Sequence, residues 1–576
     1  MKGGIKAFVT VARVDFFYCL SLGVNHRIIL THLIQELSGN RSRLMMHRSA
    51  SDQLQNWRFL VLNFVLALTN IIILSNIPGY TVLAPYAAGS LQGVTPSFGT
   101  WGTTDAMMGI VMGLPIARWC SGRYGDYKVY IAALIAFALA SLACALSETI
   151  TFFAMTRFLL GLAGGVALPI GQSLALNEYP ERYRSYGVAF WAMQSMAPFT
   201  LGVFMGGFWA EYFNWRWLFY SNIFLSIPSA AFVYALLDGR KYPHRITRFD
   251  PVGVLLLTLI LVGTQTILNQ GNDFDWFGSP FLLLLLILVI LALPIFIIWE
   301  MGERHPVLEI RLYGYRNYAV AMGCSVIGFL IVQGTLSVFV GQLQILLGYT
   351  SFLAGIVYLM MAFLAVPMIS VVHELIKDID LRYIICFNFI GFSVVLTWLG
   401  LFDKTASFDQ ISTPMIFFGF FLATFFAPTA ALAVQGMSGQ RLIRAAEELS
   451  MLRTAAGAMG ITLQGVVVFR RAPFHQLDLA DHLGGRRFPS LDLLPQLIEK
   501  FKALGMSDQV AQAQIARLMK QQAALLGLGD AFFLGGFLFT LLALFVWLAA
   551  KPSKNVRKKK AKLQDLKAKE ILDEAY

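Results

Sequence analysis

Residues 280–299 read PFLLLLLILVILALPIFIIW, twenty positions without a single charge or amide. As a helix rising 1.5 Å per residue the run is about 30 Å long, the thickness of bilayer hydrocarbon. The reading therefore starts from lipid as the solvent. The remainder of the chain agrees. Of 576 residues, 57% are hydrophobic and only 14% are charged, against about 25% charged in an ordinary soluble domain. The 47 phenylalanines outnumber the 45 lysines and arginines together. The net charge of +12 is read as membrane orientation and not as affinity for nucleic acid, because multi-span proteins gather Lys and Arg on their cytoplasmic side.

Working outward from 280–299, thirteen more segments are long and apolar enough to cross. They are 57–83, 100–119, 129–147, 151–176, 186–208, 217–237, 252–269, 318–340, 352–372, 383–402, 414–435, 449–469 and 527–549. The expected fold class is all-α and integral to the membrane, with 14 transmembrane helices. Loop charge checks the count, since one missed span would scramble the alternation. The odd-numbered short connections hold only Arg216 and Lys404, whereas the even-numbered ones hold sixteen basic residues, among them Arg118, Arg123, Lys128, Arg304, Arg382 and Arg444. Both termini are thus expected in the cytoplasm, in agreement with the basic tail over 550–576. The long connection 470–526 is expected outside, with an amphipathic helix over Leu491–Leu526 that either caps the bundle or docks an external partner.

Residues 1–56 form an N-terminal extension. Its apolar stretch Ala7–Val24 is interrupted by Arg13 and Asp15 and lacks a signal-cleavage site, and Met45 and Met46 offer a downstream start. Cys19, Cys120, Cys144, Cys324 and Cys386 show no CxxC or metal-ligand spacing, so neither a metal nor a disulfide framework is expected. No cofactor motif is legible. There is no phosphate-binding loop for an ATP-driven pump, and His373, near a span end, has no nucleophile beside it in sequence. An enzyme is not expected; a channel or a receptor stays open as an alternative.

Several stretches carry a resemblance: Thr100-Trp101, Arg157-Phe-Leu-Leu-Gly161, Gln172-Ser-Leu174 to Tyr179-Pro180, and Trp215-Arg216-Trp217 to Asn222. Asp250-Pro-Val-Gly253, Asp275-Trp-Phe277, His305-Pro-Val-Leu308, Leu347-Gly-Tyr-Thr350 and Arg453 complete it. In order and loop placement they resemble the major facilitator superfamily, and within it the fourteen-span drug:proton antiporters of the EmrB/QacA type. The resemblance implies two six-helix bundles, 57–237 and 318–549, with two additional helices between them over 238–317. It further implies proton-coupled multidrug efflux across the inner membrane by alternating access, with a periplasmic adaptor protein and an outer-membrane channel as partners. Export of one endogenous metabolite, such as a siderophore or a lipid, is the alternative.

Carried over residue by residue, the resemblance puts an aspartate of span 1 where Asn76 stands, and an amide carries no proton. In the loop after span 2, Arg118 and Gly122 replace the family's Gly and Asp while Arg123, Gly125 and Lys128 remain. The span 5 antiporter motif survives as Gly202, Gly206 and Gly207, with Val203 in place of a proline and Pro198 one turn earlier. Gly161, Gly164 and Gly165 in span 4 likewise allow close helix approach. Buried amides Gln172, Gln194, Gln333 and Gln342 are candidates for the substrate cavity or for interhelical hydrogen bonds.

The residues themselves add one more expectation. Asp105 sits about 6 Å below the external end of span 2 and Arg157 about 9 Å below the same face. Opposite charges at one depth in lipid have a physical reason to meet. Asp105 is therefore expected to replace the missing aspartate as counter-ion of Arg157, its protonation releasing the arginine, unless it merely solvates an external vestibule.

Overall fold

The computed structural model describes residues 56–92, 98–179, 184–238, 249–402, 405–484 and 493–551. The N-terminal extension, most of the basic tail and the loop residues Arg182, Arg240, Lys241, Arg245, Arg248 and Lys404 lie outside them. The helices are α1 (Asn56–Ser90), α2 (Phe98–Tyr124), α3 (Asp126–Ala145), α4 (Ile150–Glu178), α5 (Arg184–Tyr212) and α6 (Trp217–Leu237). Next come α7 (Pro251–Gln270) and α8 (Pro280–Gly302), then α9 (Arg316–Gly341), α10 (Ser351–Leu359), α11 (Ala362–Asp378), α12 (Leu381–Gly400) and α13 (Phe408–Ala433). The last are α14 (Gln440–Leu483), α15 (Leu494–Ala503) and α16 (Asp508–Phe545).

Every one of the predicted segments is helical, the tenth divided into α10 and α11 by a tight turn at Met360–Met361. Among the described residues, twelve helices are long and apolar enough to cross a membrane by length and composition. The two of the fourteen that fall short are α2 and α5, of 27 and 29 residues. For α2 the reason is its surroundings: Thr103 and Thr104 are buried by neighbouring helices, and a helix screened from lipid needs no all-round apolar surface. Helix α8 is the opposite case. Its mean hydropathy reaches 3.5, yet only 17% of that stretch is buried inside the protein, so its leucines are made for lipid.

Contacts sort the connections onto two faces. At one, Gln92 bridges to Thr149, Trp215 Nε1 donates to Ser90 Oγ (2.8 Å), and Arg216 Nε donates to the Ala145 carbonyl (2.9 Å). The turns α1–α2, α3–α4 and α5–α6 therefore share what we term the α1–α2 face. At the other, the α2–α3 face, Ala550 N donates to Asn317 Oδ1 (2.7 Å), Arg382 reaches the Ala549 carbonyl, and Arg316 reaches that of Leu548.

The connection predicted over 470–526 is not a separate loop. Helix α14 has 44 residues, about 66 Å at 1.5 Å each, far more than the hydrocarbon requires. Its end and the start of α16 run on beyond the bundle as a helical projection. Arg471 Nε and His475 Nε2 both hold Asp530 Oδ2, at 2.5 and 2.7 Å. The single amphipathic helix expected over Leu491–Leu526 is in fact two, α15 and α16, because Gly505 turns the chain at φ 86°, a conformation open to glycine at little cost. Cys120, Cys144, Cys324 and Cys386 are free thiols.

Candidate functional site

Helices α1–α6 and α9–α16 meet along a seam. Toward the α1–α2 end the seam holds a cavity of about 20 Å³ lined by Thr81, Phe199, Val203, Gln333, Leu336 and Ile461, among others. That is room for about one water, so the two halves are in near contact along the seam. The lining comes from α1 and α5 on one side and α9, α10 and α14 on the other.

Both ends of the seam are shut. At the α1–α2 face, Gly207 of α5 lies so close to α10 that an added Cβ would collide with the Ser351 carbonyl, and a Cβ added to Gly355 would come within 2.8 Å of the Phe204 Cα. A short π-helical segment, Gln342–Leu346, ends α9 here. From it Gln344 Nε2 donates to the Val82 carbonyl (3.2 Å) and to Ser351 Oγ (3.0 Å), and Ser351 Oγ donates to Tyr86 OH (2.8 Å). At the α2–α3 face, Arg118 of α2 pairs with Glu447 of α14 at 3.3 Å. Of the four residues predicted in that loop motif, Arg118 is the one that reaches the other half. Arg123 lies over Trp119 and Tyr124, Lys128 over Tyr127, and Gly125 turns the chain at φ 88°. Asp126, which the sequence reading passed over, ties the loop down by accepting from Ser121 and from Ser173 Oγ (3.2 Å).

Arg157 is wholly buried. Its Nε donates to the Gly102 carbonyl (2.6 Å) and its Nη2 to the Asn76 carbonyl (3.2 Å), while Tyr80 and Phe219 present their rings at 4.7 and 5.5 Å. It thus pins α1 and α2 to α4. Asp105, one turn beyond Gly102 on α2, is near enough to interact electrostatically with Arg157, but the two form no ion pair: the arginine's bonded donors go to carbonyl oxygens. The depth match was sound and the direct pairing was not, because backbone carbonyls leave no mark in a sequence. The Asn76 side chain exchanges hydrogen bonds with Asn222 (3.1 and 2.9 Å), and Asn222 also donates to Ser141 Oγ (3.2 Å). Asn76 is therefore a buried tie between α1, α6 and α3.

The predicted amides divide. Gln333 lines the cavity, its Nε2 directed at Met107 Sδ (3.9 Å). Gln194 and Gln342 are buried, each with an unpartnered Oε1, and Gln172 is half-buried near the end of α4; none of these three lines the cavity. Gly202 and Gly206 pack against Ser75 and Gly79 of α1, within one half, so Gly207 alone of that motif faces the seam.

Two features are not among the predicted site residues, although Arg453 is one of those that carry the resemblance. Arg453 of α14 makes no hydrogen bond or ion pair among the described residues; its Nε is buried without a partner and its guanidinium lies over Phe426 (4.6 Å) and Phe329 (5.6 Å). The second is a polar clasp through α7. Asn269 Nδ2 donates to Thr104 Oγ1 (3.0 Å), Thr462 Oγ1 donates to Asn269 Oδ1 (2.7 Å), and Gln265 Nε2 donates to Thr462 Oγ1 (2.8 Å). The first additional helix is thereby tied to both halves. The i, i+4 amides Gln265 and Asn269 in an apolar run were the available signal.

The multidrug export protein EmrB of Escherichia coli strain K12 is 27% identical over 472 residues, 82% of this chain and 91% of EmrB. The fatty acid resistance protein FarB of Neisseria gonorrhoeae is 29% identical over 471 residues, 82% of this chain and 92% of its own. Among solved structures, the xylose transporter XylE of E. coli, in a partially occluded inward-open conformation, superimposes with a TM-score of 0.51 at 11% identity, covering 86% of this chain and all of XylE. The model of the Major Facilitator Superfamily matches residues 59–465, and with two helical halves closed around a central cavity, this chain belongs to that superfamily.

Proposed function

We propose that the protein is a proton-coupled secondary transporter that exports hydrophobic or amphipathic compounds across the inner membrane by alternating access. In this reading the chain makes fourteen crossings and keeps both termini in the cytoplasm. The observation that carries the proposal is the occluded cavity, apolar and lined from both halves. To take up and release cargo it must open at one face while the other stays shut, and the contacts at Gly207 and at Arg118–Glu447 are the two that would part in turn. The names of the relatives, multidrug export and fatty acid resistance, support the direction and the character of the cargo.

The proton arm of the proposal falls on Asp105. Asp105→Asn in proteoliposomes is expected to bind a lipophilic dye as the wild type does and to lose uptake driven by an imposed pH gradient. Gradient-driven transport at the wild-type rate would remove Asp105 from the coupling scheme. A specific observation favours the second reading, export of one endogenous metabolite such as a lipid or siderophore. Arg453 is a guanidinium without a carboxylate, flanked by aromatic rings, and it suits an acidic amphiphile better than a cationic drug.

The helical projection is the part that fits a partner such as an adaptor. It leaves Phe474, Leu477 and Leu504 at 56%, 69% and 74% exposure. Phe474→Ser with Leu477→Ser should leave transport in proteoliposomes unchanged and lower efflux from cells several-fold. Unchanged cellular efflux would exclude docking on this surface.

A further inference from the structure

Two motifs singled out in the sequence, Asp250-Pro-Val-Gly253 and His305-Pro-Val-Leu308, have no part in the seam described above. The fold brings them together where α7 begins, α8 ends and α14 starts. Asp250 caps α7, accepting from Gly253 N (2.9 Å) and from Trp299 Nε1 (3.1 and 3.2 Å). All of its hydrogen bonds come from N–H donors. Glu300, one residue past Trp299, is only 3% exposed. Its Oε2 accepts from Leu308 N (3.3 Å), and its Oε1 has no hydrogen-bond partner.

That orphaned oxygen points at Asp250. A Cβ placed on Gly253 would touch both Asp250 Oδ2 and Glu300 Oε1, so the two oxygens lie within about 5 Å of each other, the range in which like charges oppose joint ionisation. Burying two carboxylates this close without a donor between them is costly. A proton on one of them removes the repulsion and supplies the missing donor.

We propose that Glu300 and Asp250 form a proton-binding site on the two additional helices, which share one proton in the occluded state. The site is wired to the seam. Glu300 Oε2 holds Leu308 N, and the next amide, Glu309 N, is held by Glu448 Oε1 of α14 (2.5 Å), whose Oε2 accepts from Tyr318 OH (2.9 Å). Glu448 adjoins Glu447, the partner of Arg118. Proton loss from the pair makes Glu300 and Asp250 repel, and the segment 307–309 carries that displacement toward the Arg118–Glu447 latch. The other charged groups bordering the site are Arg444, which donates to the Pro306 carbonyl (3.2 Å), and Arg311, which donates to that of Met301 (3.0 Å). Neither reaches the carboxyl pair by hydrogen bond.

The proposal rests on the proton-coupled reading, but its test does not require transport. Infrared difference spectra of the purified protein in nanodiscs, recorded across a pH titration, are expected to contain a carboxylic-acid carbonyl band that vanishes in Glu300→Gln and persists in Glu448→Gln. In Asp250→Asn, which keeps the helix cap, the like charge is gone, so the band should titrate at lower pH. A band that survives Glu300→Gln overturns the site. Should Glu300→Gln fail to fold, a titration unchanged in Asp250→Asn overturns it equally. Wild-type proteoliposomes that ignore a pH gradient while the band behaves as expected would sink proton-coupled export and the site's coupling role, leaving the shared proton itself established.

Discussion

Gly207→Leu yields a folded protein that no longer transports. Gly207 is the one glycine of its motif that faces the opposite half, and an added Cβ there meets the carbonyl of Ser351 and the Phe352 Cα at 3.2 Å. Those atoms are backbone on both sides, so neither helix yields by a rotamer change. Even Gly207→Ala inserts a methyl into a filled crossing, which costs about 1–3 kcal/mol, roughly a five- to 150-fold loss of the closed state; leucine closes the question. The clash exists only when the α1–α2 face is shut, hence the protein should fold but stay open there. A single cysteine at Ser337, on the cavity wall, should then react many-fold faster with a polar thiol reagent than it does in the wild type. Gly206→Leu is the contrasting variant. Its clash is with Gly79 of α1 inside the same half, so it should lose folded protein altogether. Wild-type transport by Gly207→Leu would mean that this crossing is not closed during the cycle.

What was legible follows from which forces write on side chains. Lipid demands apolar helices with every backbone group paired internally, and loop charge orders them; hence every predicted segment lies in a helix. Where a helix leaves the lipid the demand lapses. That is why the ends of α14 and α16 beyond about 470 and before about 527 read as a loop, although they continue their helices. In the site, Gly207, Arg118 and Gln333 stand on the seam, although the sequence offers Gly207 as a helix-packing residue, Arg118 as a departure from its motif and Gln333 as one of four candidate amides. Asn76 turned inward to Asn222, since an amide supplies its own complement and needs no ligand. Arg157 meets the carbonyls of Gly102 and Asn76 where the sequence offers the carboxylate of Asp105. The α7 clasp left one local mark, the amides Gln265 and Asn269 on one helix face, whereas the Glu300–Asp250 pair joins residues far apart in the chain with nothing local to mark the meeting.

Arg157 carries the other large effect. It is fully buried and joins three helices through the carbonyls of Gly102 and Asn76 and the rings of Tyr80 and Phe219. Arg157→Ala removes both hydrogen bonds, leaves a void under two aromatic rings, and strips Asp105 of its neighbouring cation. Losing one member of a buried charged set costs about 3–5 kcal/mol, a large share of the stability of any domain. The expected outcome is a strongly lowered yield of folded protein, with no transport from what remains. Arg157→Lys separates packing from geometry. Lysine keeps the charge but cannot hold two carbonyls in the fixed fork of a guanidinium, so it should fold and transport at least ten-fold more slowly. The role of Asp105 is isolated by combining Arg157→Gln with Asp105→Asn. If the two act as one electrostatic unit without touching, the double variant should be less destabilised than the sum of the singles, by more than the ~0.5 kcal/mol within which independent sites add. Strict additivity would make Arg157 a structural pin alone, and Asp105 would then answer to water in the α1–α2 vestibule and not to the arginine.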